Sequence, residues 1–224
     1  MELKQIREEE RRKENDKRRQ KMVDAACRVF CQKGIAASSI ADIAREAEFG
    51  EATVYRYFTN KENLVLACGK KFWQMVYEFM NEKVCEPEFA GKSGMEQVEC
   101  LIDCAHHFYQ EHTEGFRLIH DLDGFLLSHK VESEQLAEYE QVVDSLRPCL
   151  CDAIEKGKAD GSIHSSADTV VLYYAMTNGI FSLMQKQAVA GKLLASDLVV
   201  AQEEKLGQFL ELLIAGLKYS YGKE

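Results

Sequence analysis

Between Ser39 and Leu64 the apolar positions fall into short helix-spaced groups separated by a tight turn. Ile40, Ile43, Ala44 and Ala47 stand at i, i+3, i+4 and i+7, which predicts one narrow apolar face on a first helix. Ser39 precedes it as an N-cap, and Asp42 stands three residues on, where the acid of a capping box belongs. Glu48-Phe49-Gly50 forms the turn, and Glu51 to Phe58 forms a second helix. Val54 and Phe58, four apart, face inward with Phe49. Glu51, Ala52, Thr53, Tyr55, Arg56 and Tyr57 are left on the outer and flanking surfaces. Hydroxyls and a guanidinium crowded onto one short helix suit phosphate oxygens, although a plain amphipathic surface helix with half-buried tyrosines has the same composition.

The same periodicity runs along the rest of the chain. Met22, Val23, Ala26, Cys27, Val29 and Phe30 predict an amphipathic helix over 22–33, closed by Gly34 at a good C-cap position. Asn60 opens a long helix over 60–84, with Val65, Cys68, Phe72, Met75, Val76 and Phe79 at the helical period; Pro87 and Gly91 to Gly94 break it. Helices are expected over 94–112, 114–127, 134–156, 167–190 and 197–219, the third kinked by Pro148. The 167–190 segment is apolar nearly all round, which predicts burial on every side. Its small residues Ala175, Gly179 and Ser182 permit close helix approach. The fold expected is all-α, with about nine helices counting the charged N-terminal stretch as part of the first.

Composition narrows the function. The 224-residue chain is 46% apolar with two prolines. It has no run of about 18 uncharged apolar residues and no apolar N-terminal leader, so a cytoplasmic protein without membrane contact is expected. Its net charge of −9 is unevenly spread: residues 1–70 carry 15 Lys+Arg against 12 Asp+Glu, while the remainder carries 13 against 25. A basic head and an acidic body fit a protein that touches nucleic acid at one end. Residues 1–21, with nine basic and six acidic side chains, are either a solvated tail, an extension of the first helix, or a basic arm for the DNA backbone. The eight cysteines include no CxxC pair and mostly occupy apolar stripes, where a free thiol acts as a small hydrophobe. No phosphate loop, nucleophile elbow or zincin helix occurs, so an enzyme is not expected, and no cofactor is.

The 39–64 stretch resembles the helix-turn-helix of the tetracycline-repressor (TetR) family. Ser39, Ile43, Ala44, Ala47, Phe49, Thr53, Val54, Tyr55, Tyr57, Phe58, Lys61, Glu62 and Leu64 stand where that motif has its characteristic residues. Three positions depart: Glu48 replaces the glycine that ends the first helix, Gly50 the usual serine, and Ala52 a second glycine. The resemblance implies a charged arm over 1–21, a DNA-binding domain over 22–66, and an effector-binding and dimerisation domain over 67–224. It also implies a homodimer paired through the last two helices, bound to a near-palindromic operator and released by a small effector that changes the spacing of the two heads. The implied DNA contacts are Ser39, Gly50, Glu51, Ala52, Thr53, Tyr55, Arg56, Tyr57 and Lys61. Lys61 in particular opposes the dipole of the helix it begins, and the resemblance explains it as a phosphate contact.

Two further sites are candidates. Aromatic and polar groups available to an effector cavity are Phe72, Phe108, His112, Phe116, His120, Tyr173 and Tyr174, for each of which ordinary core packing is the plainer reading. Cys100, Cys104 and His107 share one helix face at i, i+4 and i+7, a spacing that can offer three soft ligands to zinc; helix packing is again the plainer reading. The alternative function is a sensor or scaffold whose helix-turn-helix no longer reads DNA, responsive to a metal or to thiol oxidation. Glu48, Gly50 and Glu51 motivate it.

Overall fold

The computed structural model describes residues 2–129, 131, 133–190 and 193–219. Among these there are eleven α-helices and no strand: α1 Glu2–Lys33, α2 Ile40–Ala47, α3 Glu51–Tyr57, α4 Lys61–Val84, α5 Pro87–Gly91, α6 Gly94–Glu111, α7 Thr113–Ser128, α8 Ser133–Asp144, α9 Arg147–Asp160, α10 Thr169–Ala190 and α11 Gln202–Lys218. A 3-10 turn, Ala195–Leu198, precedes α11. The chain forms two compact units, one of residues 1–72 with 118–139, the other of 73–117 with 140–224.

The first unit holds α1 to α3, the start of α4 and the segment 118–139. Met22, Val23, Ala25, Ala26, Val29 and Phe30 of α1 are buried together with the apolar face of α2, Ile40, Ile43, Ala44 and Ala47. The charged N-terminal stretch continues α1 as helix, because it contains neither Gly nor Pro to interrupt it. The segment 118–139 belongs here through contacts on α4: a Cβ on Gly69 would lie 2.6 Å from Leu122 and 2.7 Å from Tyr139, and Lys70 pairs with Glu138 at 2.6 Å.

In the second unit α6 and α9 make the closest approach. A Cβ built on Gly94 would fall 1.9 Å from the backbone nitrogen of Gly157, so glycine is required there for the backbones to touch. Ser93 caps α6 in a capping box with Glu96, and Asp160 accepts from the Gly94 amide at 2.8 Å. Trp73, Phe79, Phe108, Phe116 and Phe181 form a chain of ring contacts with centroids 4.9 to 6.3 Å apart.

Two expectations are corrected. Pro148 does not kink a single helix; it stands in the first turn of α9, where its missing N–H costs nothing, and α8 ends before it at Asp144. The apolar helix α10 is not buried on every side: Val171 is 61% exposed and Tyr174 and Val170 are also open, while on α11 Leu212 is 70% exposed. Gly179 accounts for part of the small-residue pattern, since Phe209 of α11 packs 3.0 Å from where its Cβ would stand. No helix among the described residues is long and apolar enough to cross a membrane.

Candidate nucleic-acid interface and effector cleft

The turn between α2 and α3 is held by backbone geometry. Glu48 adopts the left-handed conformation, φ 60° and ψ 38°, and its N–H reaches the Arg45 carbonyl at 3.2 Å while the Phe49 N–H reaches Ala44 at 2.9 Å. These two bonds close α2 as a glycine would. The strain of a Cβ at positive φ is partly offset outside the turn, where Lys21 pairs with the Glu48 carboxylate at 2.6 Å. The departure from glycine therefore leaves the turn intact.

At the other end of α2 the capping box is formed as expected. The Ser39 hydroxyl accepts from the Asp42 amide at 3.1 Å, and the Asp42 carboxylate accepts from the Ser39 amide at 3.1 Å and its hydroxyl at 2.8 Å. Lys33 adds a 2.7 Å bond. The Lys33 hydrogen bond first, then those from Ser39, hold the Asp42 carboxyl well below the usual carboxylate range.

Helix α3 is fixed by Val54 and Phe58, both fully buried, and this orientation exposes Glu51, Ala52, Tyr55 and Arg56 on its outer side. Tyr55 is 49% exposed. Thr53 and Tyr57 flank that side, half-buried. Gly50 is exposed with open space around its α-carbon. Tyr57 donates to the Asn15 side chain of α1 at 3.0 Å, and Arg19 lies 5.0 Å over the Phe58 ring, so the extension of α1 is tied to α3.

Lys61 has a role that spacing did not reveal. Its ammonium donates to the carbonyls of Ile35 at 2.5 Å and Ser38 at 2.6 Å and lies 5.7 Å from the Phe125 ring centroid. Burial pushes its pKa down. A cation in the first turn of α4 is thus explained by two loop carbonyls that have no helical partner of their own.

In the second unit a cleft of about 600 Å³ is lined by His106, Tyr109, Gln110, Thr113, Arg117, Gln187, Val189, Leu193 and Leu206, among others. Arg117 is set by two bonds, from Nε to the Ala188 carbonyl at 2.5 Å and from the guanidinium to Glu114 at 3.0 Å. His106 turns a buried Nε2 that finds no hydrogen-bond partner. Gln187 donates to the Gln202 carbonyl at 2.8 Å and joins the end of α10 to the start of α11. None of the seven aromatic and polar residues named from sequence lines this cleft. Phe108, His112 and Phe116 stack in the ring cluster, the first pair 4.4 Å apart; Phe72 is buried in the first unit, His120 is exposed, and Tyr173 and Tyr174 pack on each other at 5.0 Å. The signal that points to the cleft is a polar stripe at i, i+4, i+7 and i+11 through His106, Gln110, Thr113 and Arg117.

Among the described residues no three His, Cys, Asp or Glu side chains gather to hold a metal. Cys100, Cys104 and His107 are therefore not a preformed ligand set. Cys104 donates to the Phe79 carbonyl at 3.7 Å, and burial pushes its thiol up to about 11, which leaves little thiolate at neutral pH.

Residues 22–68, which include the whole of α2 and α3, match the model of bacterial regulatory proteins of the tetR family. Those residues form a tetR-family DNA-binding domain. With that domain the chain is a DNA-binding transcriptional regulator. It is 22% identical over 156 residues to the HTH-type transcriptional repressor KstR2 of Rhodococcus jostii, spanning 70% of this chain and 72% of the relative. Among solved structures, ketosteroid transcriptional regulator KstR2 of Mycobacterium tuberculosis superposes with TM-score 0.63 at 17% identity, over 91% of this chain and 96% of that one. FadR of Bacillus subtilis in complex with stearoyl-CoA gives 0.60 at 21%, over 88% and 98%. At these identities the structural matches establish the shared fold alone.

Proposed function

We propose that this protein is a repressor that binds a near-palindromic operator as a homodimer and leaves it when an effector binds. The observation that carries the reading is the outward face of α3, where Glu51, Ala52, Tyr55 and Arg56 are exposed on a helix anchored by Val54 and Phe58. Two such helices related by a twofold axis fit successive major grooves. Thr53, Tyr55, Tyr57, Ser39 and the Gly50 backbone serve the phosphates, and Glu51, Ala52 and Arg56 lie nearest the base edges. An acid at 51 accepts from cytosine N4, and the Ala52 methyl suits a thymine methyl. Lys61 acts on this interface chiefly by holding the Ile35–Ser38 loop against α4. The intact αL turn at Glu48 answers one of the three departures, Glu48, Gly50 and Glu51, that suggest a helix-turn-helix that has ceased to read DNA.

Pairing through α10 and α11 is supported by their open apolar side chains, Val171, Tyr174 and Leu212. For the effector, the cleft offers the Arg117 guanidinium and His106 beside Val189, Leu193 and Leu206, which suits an amphipathic molecule with a polar or anionic end. The stearoyl-CoA held by FadR has that chemistry. Effector binding then shifts the population toward dimers whose head spacing does not match the operator. The test is operator affinity measured with and without a panel of acyl-CoA thioesters and free fatty acids. Release by one of them, lost in Arg117→Ala, supports the reading; operator binding unmoved by the whole panel refutes this effector class.

A further inference from the structure

The buried stripe of α1 does not end where its apolar residues end. Met22, Val23, Ala25, Ala26, Val29 and Phe30 form two adjacent rows at i, i+3 and i+4. Continued toward the N-terminus at the same spacing, those rows pass through Arg19 and Arg18, then Asn15, then Arg12 and Arg11, then Glu8 and Arg7. All five arginines between residues 5 and 19 fall on this face, with Glu8 as its one acid. The rest of the circumference carries Glu9, Glu10, Glu14 and Asp16 with Lys13 and Lys17. The charged stretch is therefore sorted: the arginine face has a net charge of +4 and the remaining surface −2. A solvated helix has no reason to separate arginine from lysine, whereas phosphate recognition favours the planar guanidinium fork.

Two contacts fix where that face looks. Asn15 receives the Tyr57 hydroxyl at 3.0 Å and Arg19 covers Phe58 at 5.0 Å, so the stripe lies on the side of the α1 extension next to the C-terminal end of α3. Arg7, Arg11 and Arg12 lie beyond these contacts and are exposed. From Arg7 to Arg19 the helix rises about 18 Å, as far as about five nucleotide steps of one DNA strand.

We infer that the N-terminal half of α1 is a second DNA-binding element, a rigid helical arm on which Arg7, Arg11 and Arg12 follow the phosphate backbone beside the groove occupied by α3, Arg18 on the same face being paired with Glu14 at 3.2 Å. This rests on the DNA-binding reading of α3 and adds to it a contact that carries affinity without base preference.

The test compares three proteins on one selected duplex across a salt series: the unsubstituted chain, Arg7→Gln/Arg11→Gln/Arg12→Gln, and Lys13→Gln/Lys17→Gln as the control for overall charge. Glutamine keeps helix propensity close to that of arginine and lysine, and circular dichroism checks that α1 persists. The arginine variant is expected to bind at least about tenfold more weakly, with a log K against log salt slope shallower by roughly 2–3, since each lost phosphate contact removes about 0.9. Its selected consensus stays the same, and phosphates flanking the core site, where ethylation blocks the unsubstituted chain, become insensitive. The lysine control keeps the unsubstituted slope. An unchanged slope in the arginine variant, or an equal loss in the lysine control, overturns the arm. If the unsubstituted chain binds no duplex in a salt-dependent way, the reading of α3 falls first and the arm with it.

Discussion

At the residue scale, the informative positions are those where the sequence breaks a local rule. Glu48 stands where a glycine is expected, and the structure puts it in the left-handed region with the turn's hydrogen bonds intact. The strain is then stored in the backbone, and comparing two variants that both lose the Lys21 pair isolates it. Glu48→Gly is expected to be more stable than Glu48→Ala by about 1 kcal/mol, read as the difference in thermal unfolding; equal stabilities would mean that the turn relaxes. Asp42 gives the head an acid sensitivity. A carboxyl held below its ordinary value stabilises the fold above that value, and the contribution is lost as pH falls through the lowered one. The unfolding midpoint of the protein is therefore expected to drop below about pH 4, and Asp42→Asn to show a smaller drop over the same range. An identical acid limb in both would remove Asp42 from the account. Ser39 and Asp42 were legible because a capping box is local chemistry. Lys61 was not: its partners, the Ile35 and Ser38 carbonyls, lie more than twenty residues away, and nothing in the sequence marks which loop carbonyls a fold turns toward a distant cation.

At the scale of elements, helical periodicity located the long helices well and their ends less well. Pro148 illustrates the difference. The apolar period runs across it, so one kinked helix was expected, yet a proline is as easily the start of a helix as its bend, and packing of α9 on α6 decides for the start. The same packing explains why Gly94 and Gly157 matter, a requirement invisible to periodicity because it depends on which two backbones meet. Gly94→Ala places a methyl group inside van der Waals contact with the Gly157 backbone, and is expected to destabilise by at least ~2 kcal/mol. Chemical denaturation measures it, and a loss below about 0.5 kcal/mol would show that α6 and α9 can separate without penalty. Helix α10 is the opposite case. Its apolar circumference was read as burial on all sides, whereas one chain leaves Val171 and Tyr174 open. Hydrophobic pattern reports that a face is to be covered, not whether the covering element belongs to the same chain.

At the scale of the whole molecule, the helix-turn-helix was legible almost residue by residue because it is compact in sequence, while the cleft was not, because its walls come from α6, α7, α10 and α11. Phe108, His112 and Phe116 pack on one another, as do Tyr173 and Tyr174, while the polar stripe from His106 to Arg117 lines the opening. If α10 and α11 pair two copies, Val171→Glu with Leu212→Glu is expected to give a monomer by light scattering with helix content retained; a dimer in that variant would place the interface elsewhere. The central claim, a paired reader of DNA sequence built on α3, is tested most directly by selecting bound duplexes from a random pool at low and moderate salt. The account predicts recovery of a near-palindrome whose half-sites lie about one helical turn apart, with the same base position altered in both half-sites by Glu51→Ala. A pool that stays random at both salt concentrations, using protein unfolded and refolded to strip any bound ligand, would contradict it.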